Sequence, residues 1–367
     1  KTHRSRIIGK FRLEGKKITN PVAVGDRVEL ELEDIEEETA LIKAILPRDN
    51  YVVRQSPRKK HEMHLLASNV DQAIVIMTIK QPKLKIGFID RFLLMTEPYE
   101  IPTIIVFNKA DIYDEEDDLP IFGGLQAIYN EIGYEVLLVS AITGEGIEEL
   151  KALLKDKTTL IAGQSGVGKS TLVNNLQPQL ALRTQDLSDY TGKGQHTTTF
   201  AEMFELQMGG FIVDTPGVKG FGVIDIEKRE LGHYFVEIRE LMSECKFNDC
   251  QHINEPGCAV LDAVAEEKIP VERYANYLAI YEDEEDEYYE DEFDTEDIVV
   301  KHGDEVIDIK KSLPLPGNLQ PEPLAEPVAA RAARKKSKKD EEDFVVTSNS
   351  NEDWELPDFE LLSSDSE

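Results

Sequence analysis

The segment Gly163-Gln164-Ser165-Gly166-Val167-Gly168-Lys169-Ser170 fits the pattern G-x-x-x-x-G-K-[ST]. An apolar, β-prone run at residues 159–162 precedes it, and residues 171–176, beginning at Thr171, read as the start of a helix. No other feature restricts the fold as much, because this turn belongs between a strand and a helix of an α/β sheet. Its glycines let backbone N–H groups approach phosphate oxygens closely, and the helix N-terminus adds partial positive charge. Lys169 is placed to reach the β and γ phosphates of a nucleotide, and the Ser170 hydroxyl to bind Mg²⁺. A glycine-rich turn arising by chance would not need both flanks.

Residues 70–224 alternate strand-like and helix-like stretches. Runs at 72–77, 103–107, 136–139, 159–162 and 211–213 are almost continuously apolar, as strands buried on both faces are. Helical patterns lie between them, for example at 89–98 and 123–132. The expectation is a parallel α/β sheet.

Three further motifs fall at the ends of these runs. Asp214-Thr215-Pro216-Gly217 follows Val213; its carboxylate would hold Mg²⁺ through water, and the Gly217 N–H would sense a γ-phosphate. Alone, D-x-x-G is more often an ordinary turn, but here it comes 44 residues after Ser170. Asn108-Lys109-Ala110-Asp111 follows Phe107. A carboxylate accepts both the N1–H and the N2 amino group of guanine, and adenine offers neither in that arrangement. Asp111 therefore selects guanine, while Asn108 and the Lys109 stem support the ring. Ser140-Ala141 would bring a backbone N–H to guanine O6. The expected ligand is GTP with Mg²⁺. In common GTPases the phosphate loop comes first and N-K-x-D and S-A come last; here those two come first. The set is circularly permuted, a cut that leaves the spatial order of the sheet intact.

All three cysteines of the chain fall in Cys245-x₄-Cys250-x-His252-x₅-Cys258. Three thiolates and an imidazole within one short loop make a closed, tetrahedral, structural zinc set with no open position for hydrolytic chemistry. The other reading is three free thiols and a stray histidine. Helical patterns at 259–265 and 271–280 follow and would cap the loop. So few cysteines exclude a disulfide scaffold.

Residues 1–60 read as short strands with a Gly25-Asp26 turn, either a small β-barrel or an isolated sheet. The net charge of −31, from 41 Lys and Arg against 72 Asp and Glu, would ordinarily argue against a nucleic-acid partner. It is uneven: residues 282–367 hold 28 acidic and 9 basic residues, whereas the first twenty hold seven basic residues against Glu14 alone. Residues 282–367 read as a disordered acidic tail. Its basic stretch 331–339 is open to reading as an RNA contact or a solvated linker. No apolar run approaches the ~18 residues of a membrane-spanning helix, so no membrane partner is expected. No leader is read at the start, and a cytoplasmic location follows as the expectation.

Over residues 6–281 these motifs together resemble the circularly permuted ribosome-assembly GTPases of the RsgA (or YjeQ) family. The resemblance implies an OB-fold barrel at residues 1–60, with its first strands missing here, a permuted GTPase domain at 61–224 and a helical zinc-binding domain at 225–281. It implies the same C-x₄-C-x-H-x₅-C zinc set. It makes residues 192–199 the switch segment, in which Thr198 would complete the Mg²⁺ shell beside Ser170 and Asp214. Val218 stands where many GTPases carry a water-orienting glutamine, so slow intrinsic turnover is expected. His196 is either the residue that positions water instead or an exposed switch histidine. The implied partner is the small ribosomal subunit with its rRNA, bound by a monomer during late maturation. The alternatives are a GTP-regulated RNA-binding module with incidental hydrolysis and a signalling GTPase.

Overall fold

The computed structural model describes residues 3–7, 21–34, 39–55, 63–180, 201–215, 226–282, 299–302 and 305–308. His196, Thr198 and Gly217 lie outside the described residues, as does most of the segment read as a tail.

The N-terminal part contains β1 (Arg4–Ile7), β2 (Val28–Asp34), β3 (Thr39–Ile45), β4 (Tyr51–Gln55) and β5 (Met63–Ser68). They form a three-stranded sheet ordered β1-β3-β2 and a separate β4-β5 ladder, and Val24, ahead of β2, makes an isolated parallel bridge to Ala67 of β5. Among the described residues these strands do not close into a barrel. Leu30 and Leu32 of the edge strand β2 stay 45% and 50% exposed, because no described strand covers that face. The Gly25-Asp26 turn is pinned to β5. The Asp26 carboxylate accepts from Arg48 Nε at 2.6 Å, Arg48 Nη2 at 2.8 Å, Ser68 Oγ at 2.6 Å and the Ala23 N–H at 2.8 Å. Gly25, at φ +91°, presses on Ser68 so closely that a Cβ would lie 2.1 Å from its carbonyl oxygen. Exposed cations of this part sit beside carboxylates: Arg6 with Glu33, Arg27 with Asp49 and Lys43 with Glu31.

The central sheet uses β6 (Gln72–Met77), β7 (Thr103–Phe107), β8 (Glu135–Leu138), β9 (Thr158–Gly163), β10 (Glu202–Glu205) and β11 (Phe211–Asp214). Their order is β10-β11-β9-β6-β7-β8. Five strands are parallel, but β10 runs antiparallel to β11, so the sheet is mixed and not wholly parallel. The cause is local: Gly209 and Gly210, at φ +91° and +84°, turn the chain straight back into β11.

Helices cover both faces: α1 (Ile86–Thr96) and α2 (Asp118–Glu131) on one, α3 (Ile147–Leu154) and α4 (Lys169–Leu176) on the other. Alternation along β6 divides the core, with Ala73, Val75 and Met77 packing among α1 and α2 residues and Ile74 and Ile76 among those of α3 and α4. Burying a side chain of this size stabilises by about 1.5–3 kcal/mol. Beyond the sheet, α5 (Val236–Leu241), α6 (Ala259–Ala265) and α7 (Val271–Tyr281) share a core with Cys250 and Cys258. Leu94 of α1 is buried in that same core, which joins the C-terminal module to the sheet domain.

Within the tail segment, β12 (Val299–His302) and β13 (Glu305–Asp308) pair antiparallel. The reading of residues 282–367 as disordered throughout is corrected there. β-branched pairs at Val299-Val300 and Val306-Ile307 flank Gly303-Asp304, a hairpin pattern inside an acidic composition.

Candidate functional site

Because β11, β9, β6, β7 and β8 are parallel, their C-terminal ends meet at one edge of the sheet. This is the edge at which open α/β sheets bind ligands. The phosphate-loop pattern follows β9, Asp214 ends β11, Asn108 follows β7 and Ser140 follows β8.

The loop from Gly163 through Gln164, Ser165, Gly166 and Val167 to Gly168 delivers the chain into α4, which starts at Lys169 and carries Ser170 and Thr171 in its first turn. Gly166 and Gly168 take φ +86° and +90°, the left-handed region that L side chains resist. A Cβ on Gly168 would lie 2.6 Å from Asn108 Nδ2, so no larger residue fits there. Val167 is buried beneath the loop, while Ser165 is exposed above it.

Asn108 is 1% exposed and ties three motifs together. Its Nδ2 donates to the Val167 carbonyl at 2.9 Å, and its Oδ1 accepts from the Ala141 N–H at 3.2 Å. Of the two Ser140-Ala141 N–H groups offered to guanine O6, that of Ala141 thus points at Asn108 and that of Ser140 at the Glu145 carbonyl at 3.0 Å. Asn175 of α4 donates to the Ala141 carbonyl at 2.8 Å. Lys109 sits at φ +71°, with its ammonium on the Gln81 carbonyl at 2.5 Å. The exposed Asp111 accepts at Oδ1 from the Ser140 hydroxyl at 2.5 Å, and Ser140 Oγ accepts in turn from the N–H groups of Ile142 and Thr143. Tyr113 escaped the sequence reading: its hydroxyl donates to the Asn108 carbonyl at 2.6 Å and accepts from the Ile79 N–H at 2.8 Å.

Lys169 Nζ donates to the Gly163 carbonyl at 2.8 Å. Burial pulls its pKa below the ordinary lysine value, and Asp214 opposes this only in part. Burial likewise pushes Asp214 above the usual carboxylate value against the pull of Lys169. Asp214 Oδ1 is buried and meets no donor among the described residues. A buried acceptor without a donor fits a divalent cation in both charge and chemistry.

Cys245, Cys250, His252 and Cys258 converge, their four ligand atoms lying within 4.8 Å of one another. His252 Nδ1 is 3.6 Å from Cys245 Sγ and 3.5 Å from Cys258 Sγ, and those two sulfurs are 4.0 Å apart. Bonds of about 2.3 Å to sulfur and about 2.0 Å to nitrogen would space tetrahedral ligand atoms roughly 3.5–3.8 Å apart. The donor set therefore fits zinc. Tyr274 and Tyr277 of α7 anchor the loop by donating to the His252 and Gln251 carbonyls at 2.7 and 2.8 Å. Glu255 caps it by accepting from the N–H groups of Gln251, Ile253 and Asn254. Burial raises the pKa of Cys250 and Cys258 and lowers that of His252, so the buried cluster disfavours a free charge.

The family model for the RsgA GTPase matches residues 45–224. A small ribosomal subunit biogenesis GTPase RsgA of Flavobacterium psychrophilum is 50% identical over 288 residues, spanning 78% of this chain and 88% of that protein. The chain belongs to the RsgA GTPase family. As a member it is a GTP hydrolase. An RsgA of Bacteroides fragilis is 48% identical over 284 residues, which cover 77% of this chain and 91% of the relative. Among solved structures, YjeQ from Thermotoga maritima matches with a TM-score of 0.61 at 38% identity, covering 76% of this chain and 88% of that one. YloQ, described as a circularly permuted GTPase, matches with a TM-score of 0.59 at 32% identity, covering 78% and 87%. The permuted order read from the motifs agrees with the description of YloQ as a circularly permuted GTPase. Among the described residues, no helix of this RsgA-family GTPase is long and apolar enough to cross a membrane.

Proposed function

We propose that this RsgA-family GTPase acts in late maturation of the small ribosomal subunit, hydrolysing GTP to GDP and phosphate when that subunit engages it. The observation that carries the reading is the knot at Asn108, which gathers the phosphate loop, the guanine-selecting loop and the S-A loop at one sheet edge. The named activity of its relatives supplies the partner.

In this reading Asp111 and Ser140 recognise the guanine edge, and the Asn108 and Lys109 loop seats the ring. Backbone N–H groups of residues 163–168 and the start of α4 cradle the phosphates, and Lys169 exchanges its Gly163 carbonyl for phosphate oxygens. Ser170 and Asp214 would hold Mg²⁺, together with Thr198 of the switch segment. That ion supplies charge neutralisation at the β and γ phosphates. Gly217 senses the γ-phosphate and His196 positions the attacking water. Since Val218 cannot hydrogen-bond water, turnover is slow in the isolated protein.

The four-ligand cluster holds one structural zinc. Residues 1–60 serve as an OB-like RNA-contacting unit, 61–224 as the GTPase domain and 225–281 as the zinc module, with 282–367 appended. The protein works as a cytoplasmic monomer. GTP turnover measured with and without purified small subunits tests this. Stimulation of at least tenfold is expected, whereas RNA affinity without stimulation would favour a GTP-regulated binding module instead.

A further inference from the structure

Arg273, on α7, is 2% exposed, and neither the nucleotide chemistry nor the zinc site uses it. Its Nε and Nη2 donate to the two carboxylate oxygens of Glu237 on α5 at 2.7 and 3.0 Å. Its Nη1 pairs with Asp90 Oδ1 on α1. Asn276, one turn along α7, donates to Asp90 Oδ2, and the Tyr129 hydroxyl of α2 donates to Asp90 Oδ1 at 2.7 Å. The guanidinium also lies over the rings of Phe235 and Tyr129, at 4.7 and 5.6 Å from their centroids. Asp90 and Asn276 are each 1% exposed and Glu237 is 8% exposed.

Burying this many charges is not the cheapest way to join two packed units. Removing ions from water is so unfavourable that apolar replacements of a buried pair are often neutral or stabilising. Leu94 already supplies an apolar link between α1 and the C-terminal core. What the fork of a guanidinium adds is geometry: planar donors hold α1 at a fixed position against both α5 and α7.

A reason for fixing α1 lies at its N-terminus. The chain enters α1 from residues 78–85, and this loop is the floor beneath the guanine-selecting loop. Ile79 N–H donates to the Tyr113 hydroxyl, which donates to the Asn108 carbonyl, and Lys109 Nζ donates to the Gln81 carbonyl. We propose that Asp90, clamped by Arg273 and Asn276, is a positioning residue for guanine recognition. Through α1 and the 78–85 loop, the C-terminal module sets the seat on which Asn108 and Lys109 rest. The inference builds on the guanine-site reading above. Because binding linkage is reciprocal, guanine nucleotide should in turn stabilise the docked C-terminal module.

The test uses the full zinc-loaded chain and GDP with Mg²⁺, titrated by calorimetry. Asp90→Asn keeps the volume and loses the charge, and Arg273→Lys keeps the charge and loses the fork; if either fails to fold, the other decides. Zinc content and a cooperative melt verify the fold of each. GDP affinity is expected to fall by about 2- to 30-fold, the range for residues that bias a coupled element, with zinc content unchanged. Combination with Lys109→Met should cost less than the product of the single losses, which a merely structural role would not produce. GDP affinity unchanged within about two-fold, or strictly multiplicative losses, would overturn the inference. Asp111→Asn in the same assay separates the two readings. Loss there with no effect at Asp90 overturns only the positioning role, whereas no loss at either position overturns the guanine site as well.

Discussion

Replacing Asn108 by Ala should damage stability and nucleotide affinity together. The side chain is buried and makes two bonds, to the Val167 carbonyl at 2.9 Å and from the Ala141 N–H at 3.2 Å. Truncation leaves a buried acceptor and a buried donor behind, each worth about 1–3 kcal/mol when unsatisfied, less whatever water recovers. A loss of about 2–4 kcal/mol follows, which in a domain of this size lowers Tm by roughly 4–16 °C. The phosphate loop and the S-A loop then lose their common tether, so GDP affinity should fall at least tenfold. Thermal melts without nucleotide, followed by calorimetric GDP titration, read both quantities. Asn108→Asp is the sharper control. It keeps an acceptor for Ala141 but sets a carboxylate oxygen against the Val167 carbonyl, so it should be no better than Ala. A Tm within about 2 °C of the parent with unchanged GDP affinity would show that Asn108 is not the knot.

The zinc reading expects one zinc per chain by elemental analysis. Cys250→Ser should lose the metal and destabilise the module that shares a core with Cys250 and Cys258, because metal binding is folding free energy in such loops; a metal-free parent after gentle purification would refute it. Asp26 gives a pH signature. Burial opposes its charge, but hydrogen bonds from Arg48, Ser68 and the Ala23 N–H lower its pKa below the ordinary value. A depressed folded-state pKa means stability that is present above the unfolded value, about 3.9, and lost as pH falls through the folded one. Asp26→Asn should therefore destabilise at pH 7, and its deficit in denaturant midpoint should shrink below about pH 4. A deficit independent of pH would contradict the assignment.

What the sequence disclosed and what it withheld have physical causes. The buried strands announced themselves because burial on both faces demands unbroken apolar runs, and β6 and β7 fall at the expected residues. The phosphate loop was legible because its glycines, lysine and serine are each required at a fixed offset. The edge strand β10 was not. Glu202, Met203 and Glu205 are exposed, so its composition resembles a loop and only the Gly209-Gly210 turn marks it. The start of α2 at Asp118, five residues before the expected one, includes Pro120, which is tolerated in a first turn, where no backbone donor is needed. Tyr113 and the Asp90–Arg273 contact were invisible for a different reason. The Tyr113–Ile79 and Asp90–Arg273 contacts span 34 and 183 residues, and no spacing rule connects them. Of the seven basic residues among the first twenty, Arg6 is paired with Glu33 on β2, a contact across 27 residues that no local pattern marks.

The reading of this chain as a guanine-selective switch is tested most directly by exchanging the base it recognises. Asp111 faces Ser140 at one oxygen, as a carboxylate presented to a guanine edge would. Calorimetric titration of the parent and of Asp111→Asn with GTP, ATP and xanthosine triphosphate measures the selection. The parent should bind GTP and ignore ATP. The variant loses a charge-assisted contact worth about 1.5–3 kcal/mol per hydrogen bond, so its GTP affinity should fall roughly 100-fold. It should gain affinity for xanthosine triphosphate, whose C2 oxygen pairs with the new amide. Equal affinity of the parent for ATP and GTP, or a variant that still prefers guanine, would contradict it.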